Sequence, residues 1–171
     1  CDTKYVIETL NLSSCAVNYT PTSKVYNGAE QPPTVTVTNA GGETVKGGYV
    51  VKYNGGTDKP KDATDYVVAV YPDDSGNCTS EKTAGGNYTI TPADIANLNV
   101  KIADNLTYTG EAIDPIEYVK LGENTLSEKD YTVAYKLDEQ PSEVEDAGIY
   151  SATFSGPNFN GTKTVNNIKV K

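Results

Sequence analysis

The 171-residue chain has no histidine, no tryptophan, no methionine and no arginine, and only two phenylalanines. Each absence closes a class of chemistry. Without imidazole there is no Ser-His triad, no histidine base and no histidine ligand for zinc. Without guanidinium there is no planar fork for phosphate or for base edges. The 14 positive charges are all lysine, against 23 carboxylates, for a formal net charge of −9. Nucleic-acid binding is therefore not expected, since it calls for a basic stripe. Runs of apolar residues are short throughout, so no transmembrane segment is expected in this stretch of chain. The three cysteines, Cys1, Cys15 and Cys78, show no Cys-x-x-Cys spacing and cannot close a zinc site alone. No catalytic residue and no resident metal or cofactor are expected, and the chain does not read as an enzyme.

Aromatic content is almost entirely tyrosine, 13 of them. Tyrosine, threonine and valine favour strands, and the Gly, Asn, Asp and Pro between short apolar runs favour turns. No segment sustains a 3.6-residue apolar period, so the chain reads as all-β.

The strongest signal is internal repetition. Tyr26-Asn27-Gly28 with Pro33 behind it recurs 82 residues later as Tyr108-Thr109-Gly110 with Pro115. The segment from Tyr49 to Tyr53 falls over that from Tyr131 to Tyr135 at the same spacing. Asp62 to Tyr66 falls over Asp146 to Tyr150 with a small drift, as loops permit. Between these columns Val35 and Val37 alternate one residue out of phase with Ile116 and Tyr118, which predicts a small insertion. Several columns at one spacing imply duplication. The expected organisation is a lead-in over residues 1–12, a first unit over 13–92 and a second over 93–171. Thr91-Pro92-Ala93-Asp94-Ile95 reads as a stiff joint with one helical turn. Residues 72–86 read as a long polar loop and residues 87–91 as the closing strand of the first unit.

These residues resemble the tandem MBG-type and immunoglobulin-like repeats of bacterial surface proteins. The second copy carries the recurrent pattern as Tyr108-Thr109-Gly110, then Asp130 to Tyr135, then Ala147-Gly148-Ile149-Tyr150, then Asn158-Phe159-Asn160-Gly161-Thr162. The first copy departs from it, with Gly48 in place of the Asp and a cysteine-bearing loop in place of the Asn-Phe-Asn-Gly turn. The resemblance implies two tandem immunoglobulin-like β-sandwich domains, with a β-grasp arrangement of the same strands as the alternative. It implies an exported, extracellular, cell-surface-attached module serving as stalk or adhesive spacer. The alternative function is a carbohydrate- or host-protein-binding module acting through loops that differ between the copies. The partners would be host glycans, matrix proteins or other domains of the same parent protein.

Individual residues carry narrower expectations. In an oxidising compartment Cys15 and Cys78, both in the first unit, are candidates for a disulfide. Cys1 is a candidate for lipidation, since mature lipoproteins begin with cysteine. Tyr71, Asp73, Asp74 and Asn77 form the candidate binding loop. Its oxygen-rich centre would suit calcium if any ion binds, but it lacks EF-hand spacing and reads first as a solvated turn. The carboxylate pairs Asp62/Asp65 and Glu145/Asp146 could in principle serve a glycosidase, though exposed charge is the simpler account. Tyr26 and Tyr108 could stack on sugars; their recurrence favours rings packed on the core with hydroxyls on backbone. Lys101 with Asn166 or Asn167 would be the pair for an intramolecular Lys–Asn crosslink.

Overall fold

The computed structural model describes residues 8–171; the expectations for Cys1 and for the rest of the first seven positions lie outside them. The described chain is all-β, without an α-helix. It divides into two compact units. Unit 1 runs through Lys24 and resumes over Glu30–Ile90; unit 2 takes Val25–Ala29 and Thr91–Lys171. The second unit is thus completed by five residues from much earlier in the sequence.

Unit 1 opens with β1 (Leu10–Asn11), which lies in the expected lead-in but pairs in parallel with β7 (Cys78–Thr79). A 3-10 turn, Leu12–Ser14, follows, and the Asn11 side chain caps it by accepting from the Ser13 amide. Next come β2 (Ala16–Thr20), β3 (Ser23–Val25), β4 (Thr34–Thr38), β5 (Tyr49–Tyr53), β6 (Asp65–Pro72) and β8 (Lys82–Thr91). Strand β2 pairs antiparallel with β4 so that Val17 faces Val37. The other four form a sheet in the order β3-β8-β6-β5. In β6 the consecutive residues Val68, Ala69 and Val70 are all buried, which explains its unbroken apolar run. Residues 72–86 are not one long loop: they hold β7, and β8 begins at Lys82, five residues earlier than expected.

Unit 2 repeats the plan with β9 (Ala93–Asp94), a 3-10 turn (Ile95–Asn97) capped by Asp94, β10 (Leu98–Ile102), β11 (Ile116–Leu121), β12 (Asn124–Thr125), β13 (Thr132–Leu137), β14 (Gln140–Pro141), β15 (Gly148–Ser155), β16 (Phe159–Asn160) and β17 (Lys163–Val170). Strand β9 pairs in parallel with β16, as β1 does with β7. The sheets run β10-β11-β12 and β14-β13-β15-β17. Burial alternates along β15, with Tyr150, Ala152 and Phe154 inward, as period-2 geometry requires. Together with Ile95, Leu98, Val119 and Ile168 these make the core, each large apolar side chain contributing about 1.5–3 kcal/mol.

The duplication extends to irregularities. The β6–β8 register shifts between Val67 and Ala69, and the β15–β17 register shifts between Tyr150 and Ala152, within one residue of the equivalent place. The Tyr66 hydroxyl donates to the Asp62 carbonyl at 3.0 Å and accepts from the Lys61 amide. Its counterpart Tyr150 donates to the Asp146 carbonyl at 3.0 Å and accepts from the Asp146 amide. The phase slip between the copies comes from one extra residue in the strand of the second copy. Lys101 pairs with Tyr118 but Ile102 pairs with Ile116, leaving Glu117 as the extra residue of a β-bulge in β11. A bulge shifts side-chain phase locally, and Val37 and Val119 still occupy matching core positions.

Candidate functional site

The expected binding loop is a self-contained turn. Strand β6 ends at Pro72, the Asp73 amide donates to the Gly48 carbonyl at 3.0 Å, and the Asp73 carboxylate accepts from the Ser75 amide at 2.9 Å. The Ser75 hydroxyl oxygen accepts from the Asn77 amide, and Gly76 takes φ +70°. Hydrogen bonds from Ser75, side chain first and amide second, hold the Asp73 carboxyl below its usual value. The Lys52 ammonium sits 4.4 Å over the Tyr71 ring, a cation–π contact that already uses the face a sugar would need. Asp74 is exposed beside them. Among the described residues no three His, Cys, Asp or Glu side chains gather as metal ligands.

Cys15 and Cys78 are both buried, and both are free thiols in this structure. Cys15 follows the 3-10 turn with its Sγ 3.7 Å from the Asn11 carbonyl. Cys78 pairs with Leu10, the neighbour of Asn11, and turns its Sγ to the Gly47 carbonyl at 3.8 Å. The structure thus holds the expected disulfide pair as two thiols, each sulfur turned to a backbone carbonyl. Burial pushes the Cys78 thiol above its usual pKa, and the Asp73 carboxylate and Cys15 add to it.

Asp62, Asp65, Glu145 and Asp146 are all exposed, and Asp65 accepts the Thr89 hydroxyl at 2.6 Å. The Lys101 ammonium reaches Asp104 at 3.2 Å and Glu117 at 3.7 Å; Asp104, then Glu117, raise its pKa. Asn166 and Asn167 are exposed on β17, and it is carboxylates, not these amides, that hold the Lys101 ammonium.

The two repeated tyrosines differ most from expectation. Tyr26 is buried in unit 2, at 2% exposure, with its ring edge-on to Phe159 at 5.4 Å. Its hydroxyl donates to the Asp130 carboxylate at 3.0 Å instead of to backbone. The other Asp130 oxygen accepts from the Ser127 amide at 2.8 Å and hydroxyl at 2.7 Å. The Asn124 side-chain amide donates to the Asn27 carbonyl at 2.8 Å. Gly28, at φ +84°, lies so close to Leu126 that a Cβ would clash with its Cδ2. Tyr108 is 53% exposed.

One concavity in unit 2 was not foreseen. A cleft of about 600 Å³ is lined by Ile113, Asp114, Ile116, Glu128, Tyr131 and Tyr135, among others. Burial, then the Asp114 carboxylate, raise the pKa of both phenols, with Glu128 adding to each. The site was hidden from sequence reasoning because its residues come from three separated stretches, none unusual alone. It pairs aromatic faces with acidic acceptors, a chemistry suited to a sugar or a cationic side chain.

No protein-family model matches the chain, and a search of curated proteins finds no match to it. No helix among the described residues is long and apolar enough to cross a membrane.

Proposed function

We propose that the chain is a non-catalytic structural and adhesive module of an exported bacterial surface protein, working as a stalk or spacer built of two tandem immunoglobulin-like β-sandwich units. The observation that carries this reading is the depth of the duplication. The parallel two-residue pairs, the capped 3-10 turns, the register shifts in β6 and β15 and the tyrosines bonded to a carbonyl four residues upstream all recur. A tyrosine hydroxyl bonded back to upstream backbone is a feature of immunoglobulin-like sandwiches. What the copies share is scaffold, as in arrays whose units serve to add length. The test places the chain on a bacterial surface beneath a well-characterised binding head. The head should capture its ligand better with the chain than without it, and better still with two copies; equal capture in all three would sink the spacer reading.

A second reading, a carbohydrate- or host-protein-binding module, is favoured by the cleft at Tyr131, Tyr135, Asp114 and Glu128. The contacts would lie there, in unit 2, instead of in the 71–77 turn. Saturable binding on glycan or matrix-protein arrays that Tyr135→Ala abolishes would support it, and silence on both would remove it.

A further inference from the structure

The Tyr-x-Gly segments of the two copies are presented by the same backbone bonds. The Tyr26 amide donates to the carbonyl of Thr91, at the end of β8, at 2.8 Å. The Tyr108 amide donates at the same distance to the carbonyl of Lys171, just after β17. On the far side of each turn, the Gln31 amide bonds the Pro60 carbonyl and the Ile113 amide bonds the Val144 carbonyl. Gly28 and Gly110 share the left-handed conformation, φ +84° and +83°. The geometry of the two tongues therefore matches, and their surroundings do not. Tyr26-Asn27-Gly28 fills a receptor in unit 2, with Asp130 and Phe159 on Tyr26, Asn124 on the Asn27 carbonyl and Leu126 on Gly28, whereas Tyr108 presents its ring to solvent.

From this we infer that Tyr108-Thr109-Gly110 is a docking tongue, and that its partner is a further unit of the unit 2 kind joined in tandem, with an acid at the position of Asp130. Three observations select this occupant. The receptor for a Tyr-x-Gly tongue is visible in this chain, and it is unit 2 that carries it. A second copy of the present chain cannot supply that receptor, because its own Tyr26 already occupies it. Unit 1 cannot supply it either: Gly48 stands where Asp130 does, so the phenol would have no carboxylate to bond, and the space beside it is taken by the Cys78 sulfur, 2.8 Å from a Cβ built on Gly48. The recognition is chemical as well as steric. A phenol donating to a carboxylate already braced by Ser127 forms a charge-assisted bond away from water, and the glycine allows backbone-to-leucine contact that any Cβ would obstruct.

The test extends the chain by joining a second copy of residues 92–171 after Lys171, the position equivalent to Thr91. Tyrosine nitration with tetranitromethane, read by peptide mass spectrometry, compares the parent and extended chains. In the parent, Tyr108 should be modified and Tyr26 protected. In the extended chain Tyr108 should become protected at least tenfold, and Asp130→Asn in the added copy alone should restore most of its reactivity. Equal nitration of Tyr108 in parent and extended chains would overturn the inference. So would Tyr26 reacting as fast as Tyr108 in the parent. An added copy in which the counterpart of the buried Tyr150 is freely nitrated would also count against it, since Tyr108 is held to supply what that copy lacks.

Discussion

One corner separates two units that otherwise follow a single plan. In unit 2 the residue after the 3-10 turn is Leu98, the strand paired with β9 begins with Phe159, and Asp130 precedes β13. In unit 1 the same three places hold Cys15, Cys78 and Gly48. Ladders and caps are kept while this corner is refitted, because main-chain hydrogen bonds tolerate any side chain that fills the space beside them. The larger, acid-bearing version receives a tyrosine from elsewhere in the sequence. The smaller version closes on itself, with the Cys78 sulfur against the bare Cα of Gly48.

That comparison can be broken most sharply at the tyrosines. Tyr26→Ala should cost about 3–5 kcal/mol in denaturant unfolding, the range for emptying a buried aromatic site, while Tyr108→Ala should stay within about 0.5 kcal/mol. Equal costs would mean that the two copies are packed alike. Gly28→Ala comes next, at about 2–3 kcal/mol, since it combines a left-handed φ with a forced shift of Leu126. Gly110→Ala, whose Cβ would meet only the Tyr108 hydroxyl at an ordinary 3.9 Å, should lose only the conformational part, about 1 kcal/mol.

The cysteine corner is sharpened by Gly48→Ala. It should destabilise unit 1 by about 1–3 kcal/mol through the clash with Cys78, and Gly48→Ala with Cys78→Ala should cost less than the two single changes summed. Strict additivity in the double-mutant cycle would show that the corner is looser than its distances imply.

The smallest effect is one of pH. Burial raises Tyr53, Tyr66 and Tyr88 in unit 1 and Tyr131 and Tyr135 in unit 2 above the ordinary phenol value. A raised pKa in the folded state means that the unfolded chain loses its protons first. The stabilising contribution is therefore intact below about pH 10 and is lost as pH rises through the folded values. The Cys78 thiol, raised in the same way, adds an earlier loss, so stability should be level from neutral pH to about pH 8.5, where an unfolded thiol ionises, and fall further above about pH 10. Phenolate absorbance should appear in the unfolded chain at lower pH than in the folded one, and coincident titrations would contradict the burial described.

Much of this architecture was legible in the sequence, and the reasons are local. Strands such as β4, β5, β10 and β11 carry their own valine, tyrosine and isoleucine, residues that favour a pleated, half-buried surface wherever they fall. The start of β8 was not legible, because Lys82 to Gly86 reads as turn residues and becomes strand only by pairing with Val70 and Ala69. The insertion in β11 could not be assigned to Glu117 from the sequence, because alternation reports phase but not register. The candidate sites divide the same way. The 71–77 loop could be read as a turn from its Asp, Ser and Gly, whereas the destination of Tyr26 depends on Asp130, and no short-range pattern encodes a partner 104 residues away.

That separation also sets a clock. A ribosome adding about 5–20 residues per second releases Tyr26 roughly 5–20 s before it makes Asp130. For that interval the newborn chain carries a greasy phenol with no seat, and whatever chaperones or conducts the nascent protein must shield it until the second half arrives.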